Sequence, residues 1–147
     1  MGIGIIDGLQ LIEVKDPGVP NLERVAIYVE YACELSEYCL LLGMPLPDGS
    51  VNPLRDHMHW FGHGFVNPGD WIFVYTATGT TTVEPNGRRS GSSIQPRIIN
   101  LHWGKDHTVF QNRGVVPMLI KIEAVGQLKT PTAAYQGGAN RFQPTTF

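Results

Sequence analysis

Charge is scarce in this chain of 147 residues: Asp, Glu, Lys and Arg make up 16% of it, against about 25% in an average soluble domain. A surface short of charge predicts that part of it is covered by partners. Cysteine is scarcer still. Cys33 and Cys39 are the only two, and they read as reduced, inert thiols of a chain made in the cytosol. Met1–Ile6 has neither the basic region nor the long apolar run of a signal peptide. No apolar stretch approaches the roughly 20 residues that a membrane helix needs, so no membrane partner is expected.

Catalytic signatures are missing as well. Ser36, Ser50, Ser90, Ser92 and Ser93 lie outside any Gly-x-Ser-x-Gly elbow. Gly2, Gly4 and Gly8 have the wrong spacing for a dinucleotide fingerprint and read as a flexible N-terminal arm, residues 1–8. Asp56 precedes His57 and Asp106 precedes His107. Neighbours on a strand face opposite sides, so neither pair is expected to act as acid and base. These absences predict a non-enzymatic chain with no catalytic residue and no cofactor.

What is present favours strands and turns. There are 17 Gly and 11 Pro, and the length suits one domain with a single core. Leu9–Val14 and Trp71–Tyr75 read as strands, with turn material at Asp16–Gly18 and Asn67–Asp70. Residues 23–42 fit two patterns. As a helix, Glu23, Glu30, Glu34 and Glu37 form one arc between Asn21 and Gly43 as caps. As a strand, Val25, Ile27, Val29, Tyr31, Cys33 and Leu35 share one side, and the β-branched run favours this reading. Pro45–Pro53 reads as a loop, His57–Val66 as extended, and Pro85–Ser93 as a flexible tip. Strands are also expected at Thr78–Val83, Ile94–Trp103, Thr108–Phe110 and Val115–Val125, the last with Ile120, Ile122 and Ala124 inward. About eight short strands predict an all-β fold, a single compact β-sandwich or barrel over residues 9–129.

The histidines gather in two aromatic segments: His57, His59 and His63 in DHMHWFGH, His102 and His107 in LHWGKDH. On a strand the first three are in phase, and imidazoles converging from two strands are a candidate metal site. His57-x-His59 with Pro68-Gly69-Asp70 loosely resembles the cupin metal motif, which implies a small metal-binding β-barrel enzyme. The Glu that motif expects is absent, and no His follows Gly69 until His102. The bland reading is amphipathic side chains at a sheet edge or interface beside Trp60, Phe61 and Trp103, with the two segments free to stack their rings across strands. Trp60, Trp71 and Trp103 would be the platforms of a carbohydrate-binding module, although Trp71 opens the most apolar strand and reads as core.

Charge is divided along the chain. Residues 1–84 hold three basic against eleven acidic side chains, and residues 85–147 hold eight against two. An acidic face on one copy could meet a basic face on the next, as in a homo-oligomer, or the two halves could interleave within one sheet and mix their charges. Arg88 and Arg89 in the Gly/Ser-rich tip are candidate contacts to an acidic partner. They lack the interleaved aromatics of a nucleic-acid binder, so nucleic acid is not expected.

The last eighteen residues, Thr130–Phe147, hold two Gly, two Pro, four Thr and no acidic residue. Such a strap buries too little apolar surface to offset an ordering cost of about 1–2 kcal/mol per residue. Tyr135, Phe142 and Phe147 are spaced along it like anchors, with Arg141 between them. The strap is therefore expected to order on another chain. With Met1–Gly8 and the Asn67–Tyr75 turn and strand, this build resembles the small virion proteins of tailed bacteriophages, particularly capsid decoration (cement) proteins, with other head–tail or tail structural components as the alternative. The resemblance implies a β-sandwich or barrel made in the host cytoplasm that sits on the major capsid protein lattice. It also implies that the terminal arms clamp neighbouring subunits.

Overall fold

A computed structural model describes residues 6–87, 95–112 and 114–134. The fold is all-β, as the turn and strand signals predict. Ten strands run in chain order: β1 (Leu9–Lys15), β2 (Arg24–Val29), β3 (Cys33–Glu34), β4 (Tyr38–Pro45), β5 (Val51–Trp60), β6 (Phe65–Val66), β7 (Trp71–Ala77), β8 (Thr82–Pro85), β9 (Arg97–Lys105) and β10 (Val116–Lys121). They form a five-stranded sheet ordered β1-β2-β7-β9-β8, a three-stranded sheet ordered β10-β4-β5, and the small β3-β6 pair. Among the described residues only β7 and β9 run parallel; β8 then pairs antiparallel on the far side of β9.

The core forms where the alternating faces of the sheets meet. Val25, Ile27, Val29, Ile72, Val74, Ile99 and Leu101 come from the larger sheet, and Tyr38, Leu40 and Leu42 from β4. β7 alternates without a break, with Ile72, Val74 and Thr76 buried and the residues between them half-buried. On its outer side Trp71 packs edge-on against Tyr28 at 5.2 Å, and Arg24 lies over Phe73 and Tyr75. Trp71 is thus one member of an aromatic row on the sheet.

Several boundaries differ from the sequence reading. Residues 23–42 are neither a helix nor one strand. The pleat continues through Val29, then Glu30 and Tyr31 bind the carbonyl of Gly8 and the chain turns, leaving Tyr31 exposed. A short 3-10 turn, Leu35–Glu37, precedes β4. The expected Pro45–Pro53 loop shrinks to a tight connection closed by Leu46 and Ser50, because Val51–Pro53 pair with Gly43–Pro45. Thr108–Phe110 is not a strand, since its amides are taken by Glu23. β10 ends at Lys121, and Ala124 is exposed rather than inward. Residues 6–8 are tied into the fold: Tyr38 Oη donates to the Asp7 carbonyl at 2.8 Å. Gly8 is buried with φ +95°, and a Cβ there would meet Tyr38 Oη at 2.7 Å. Residues 1–5 lie outside the described residues.

Glu23 joins three distant segments. Its side chain is buried, and its carboxylate accepts four hydrogen bonds. Oε1 receives Thr76 Oγ1 and the Val109 amide, both at 2.8 Å, and Oε2 receives the Gly18 amide at 2.7 Å and the Phe110 amide at 2.9 Å. Its own main chain adds bonds to Val19 and Thr76. Burial pushes the carboxyl pKa up, but the donors outweigh it and hold Glu23 below the ordinary value of 4.5.

Glu23→Gln keeps the shape but turns one acceptor into a donor facing amide hydrogens. The expected loss of stability is on the order of 3 kcal/mol, read from denaturant midpoints. Because the folded pKa is depressed, this stabilisation is present above about pH 4.5 and is lost as pH falls through the folded value. A Glu23→Gln variant as stable as the wild type at pH 7 would show that the four bonds contribute nothing net.

Candidate interaction surface

The two histidine segments do meet across the sheets. β5 pairs regularly with β4 from Met58 to Trp60, but Pro53 already opposes Gly43, so residues 54–57 bulge out opposite Leu42. Asp56 has a left-handed φ of +61° at this bulge. His57 and His59 share the half-buried side of the strand, while Met58 and Trp60 face solvent. His59 lies 5.7 Å from Trp103 of β9 and 5.9 Å from Phe61. His102 stacks on Tyr75 at 5.3 Å, and a Cβ at Gly79 would strike its ring.

These imidazoles do not assemble a metal site. Lys105 Nζ lies 2.8 Å from His57 Nδ1, putting an ammonium where a metal would need that lone pair. His63 is not in phase: β5 ends at Trp60, and His63 sits exposed in the following loop, edge-on to Trp60 at 5.1 Å. His107 is also exposed. Its Nδ1 does contact Asp106 Oδ1 at 2.6 Å, contrary to the strand argument, because residues 106–107 form a bend. Among the described residues no group of three His, Cys, Asp or Glu is placed to hold a metal ion.

The cysteines are free, Cys33 half-buried and Cys39 buried, and burial pushes both thiols up, away from the reactive thiolate. Cys33 lines an open depression of about 420 Å³ with Asp7, Gly8, Tyr31, Ala32, Tyr38 and Lys121.

A different feature stands out on the solvent side. The 3-10 turn and the β5–β6 segment are tied into one unit by three bonds, and a fourth caps the turn itself. Trp60 Nε1 donates to the Ser36 carbonyl at 2.9 Å, and the Leu35 amide donates to the Gly64 carbonyl at 2.7 Å. Glu34 Oε1 accepts from the Gly64 amide at 2.7 Å and from the Ser36 amide at 3.5 Å. The bond from Gly64 holds the Glu34 carboxyl below its usual range. Phe65 is paired across from Glu34, and its carbonyl is held by Arg97, which also clamps the buried Asp70. This frame displays apolar groups: Met58 and Phe65 are each 60% exposed, and Trp60 44%. His63 is exposed against Trp60, and Glu37 is exposed in the 3-10 turn. Ordered backbone holding exposed aromatics makes this a candidate interaction surface.

The sequence offers Trp60 as a stacking platform and His63 as a metal candidate, against a place at a sheet edge or interface. The surface itself was not legible, because it depends on a break in the 23–42 segment. The expected partner contacts Arg88, Arg89, Tyr135, Arg141, Phe142 and Phe147 lie outside the described residues. Among the described residues no helix is long and apolar enough to cross a membrane.

The histidine seam carries a pH dependence. Burial, and then the neighbouring His102, push the His59 pKa below its ordinary 6.5, and the Nε2 of His59 and Nδ1 of His102 are buried without partners. Below about pH 6.5 the unfolded chain takes a proton that folded His59 refuses, so stability falls as pH drops toward the folded value. Urea midpoints at about pH 7 and about pH 5 should therefore diverge less in His59→Phe than in the wild type. Equal divergence in both would refute this assignment. No family model, curated protein or solved structure matches the chain.

Proposed function

We propose that this chain is a non-enzymatic structural subunit of a virion, of the type that decorates the capsid of a tailed bacteriophage and grips neighbours through a terminal arm. The observation that carries the reading is the course of the chain after β10. The Ile122 amide donates to the Glu37 carbonyl at 2.7 Å, and residues 123–134 then run without regular structure, exposed throughout. Val125 is 79% exposed and Leu128 96%. Val125 and Leu128 hold apolar side chains in water there, and a partner surface gives such side chains a use. The low charge content and the aromatic surface at residues 34–65 support the same reading.

A sandwich that docks on a lattice and then adds an arm gains by multivalency. Once the core is bound, the arm meets its contact at a high effective concentration, so weak contacts accumulate into stable attachment. The metalloenzyme alternative loses its support at His57, whose lone pair is turned to Lys105.

The test is particle binding. Co-expressed with the capsid proteins of its own virus, the full chain should co-sediment with assembled particles. A chain ending at Glu123 should keep the wild-type thermal transition within a few degrees and stay in the supernatant. Binding by the truncated chain equal to the full chain, or no binding by the full chain, sinks the proposal.

A further inference from the structure

We infer that Lys105 is a covalent modification site, whose amine takes the acyl group of a small acyl thioester while His57 receives the proton that the amine gives up. The inference is independent of the virion reading above. Three observations carry it.

The first is the partner of the amine. Lys105 Nζ lies 2.8 Å from His57 Nδ1, and among the described residues no carboxylate is within ion-pair distance of it. The chain has four lysines. Lys15 meets the Glu13 carboxylate at 3.6 Å, Lys121 lies over the Tyr38 ring, and Lys129 is exposed. A carboxylate partner favours the ammonium form, which has no lone pair to attack with. A neutral imidazole favours it far less and can itself take up a proton.

The second is the setting. Lys105 ends β9 half-buried, with Nζ 5.4 Å from the centroid of the Trp103 ring. The adjacent carboxylate, Asp106, is directed to His107 Nδ1 at 2.6 Å. Burial pushes the Lys105 amine below its ordinary pKa of 10.5, against the opposing pull of Asp106. More of it is therefore free base at neutral pH than in an ordinary lysine.

The third is that the fold holds the pair in place. His57 closes the bulge of residues 54–57, and His59, two residues on, lies 5.7 Å from Trp103. β5 and β9 thus meet at two successive points, and amine and imidazole are positioned before any donor arrives. In the reaction the amine lone pair attacks the thioester carbonyl carbon and the N–C bond forms. Nζ passes a proton to His57 Nδ1, the C–S bond breaks, and the departing thiolate takes that proton. The products are an amide on Lys105 and a thiol.

The test uses the full chain with N-acetylcysteamine thioacetate at neutral pH, following acetylation of each lysine by peptide mass spectrometry. Lys105 should react about tenfold faster than Lys129, a small share of the hundredfold or more that a positioned base contributes in enzymes. Unfolding in urea should remove the difference. In His57→Gln the amide oxygen can still accept a hydrogen bond from Lys105 but takes no proton, so the Lys105 rate should fall to that of Lys129. Equal rates for Lys105 and Lys129 in the folded wild type overturn the inference. So does an advantage of Lys105 that persists in urea or in His57→Gln.

Discussion

The position of Glu23 is the constraint on which the sandwich depends. One carboxylate takes the Gly18 amide from the β1–β2 connection, the Thr76 hydroxyl from the end of β7, and the Val109 and Phe110 amides from the segment after β9. Main-chain ladders tie strands to their neighbours but leave such connections with unpaired donors. Buried donors without partners cost about 1–3 kcal/mol each. By supplying four acceptor positions, Glu23 lets Val109 and Phe110 enter the core without a strand to carry them. Asp70 repeats the device at the other end of β7, receiving the Asn67 and Arg97 amides and the Arg97 guanidinium. The two carboxylates thus fasten both ends of the strand that sits at the centre of the larger sheet.

Periodicity made part of this legible. β7 and the first half of residues 23–42 could be read directly, since Val25, Ile27, Val29, Ile72 and Val74 alternate as a half-buried sheet requires. The later part of that segment was misread because alternation persists there after pairing stops. Tyr31 keeps the phase but leaves the sheet, since the carbonyl of Gly8 takes the amides of Glu30 and Tyr31. Thr108–Phe110 failed for a related reason. Three consecutive residues of moderate β-propensity look like a strand, and only a carboxylate 86 residues away reveals that they are a capped turn.

The candidate site was less legible than the fold. The sequence shows that His59 and Trp103 belong to similar segments, and the structure brings their rings together as a seam between sheets. It could not show that Lys105 would take His57, because that contact depends on the bulge at residues 54–57. Bulges re-aim side chains without altering composition or period. The aromatic surface has the same origin, since it assembles from a two-residue strand pair, a 3-10 turn and a loop, none of which has a sequence period.

Exposed apolar residues occur all over this protein, and most mean little. Ile12, Leu22 and Val83 lie on separate elements, and isolated hydrophobes are normal on a monomer. The group at Trp60 and Phe65 differs because its backbone is fixed by hydrogen bonds while Leu35, Phe61 and Val66 beneath it enter the core. Trp60 spends its indole donor on the Ser36 carbonyl, and Glu34 directs its carboxylate to the Gly64 amide. These bonds also hold partly exposed side chains in place, where order has an entropic cost of up to about 2 kcal/mol per side chain. Preorganisation of that kind lowers the cost of a later association. The scarcity of charge with which the sequence opens then has a physical sense: surface that a partner covers gains little from charges that binding would have to desolvate.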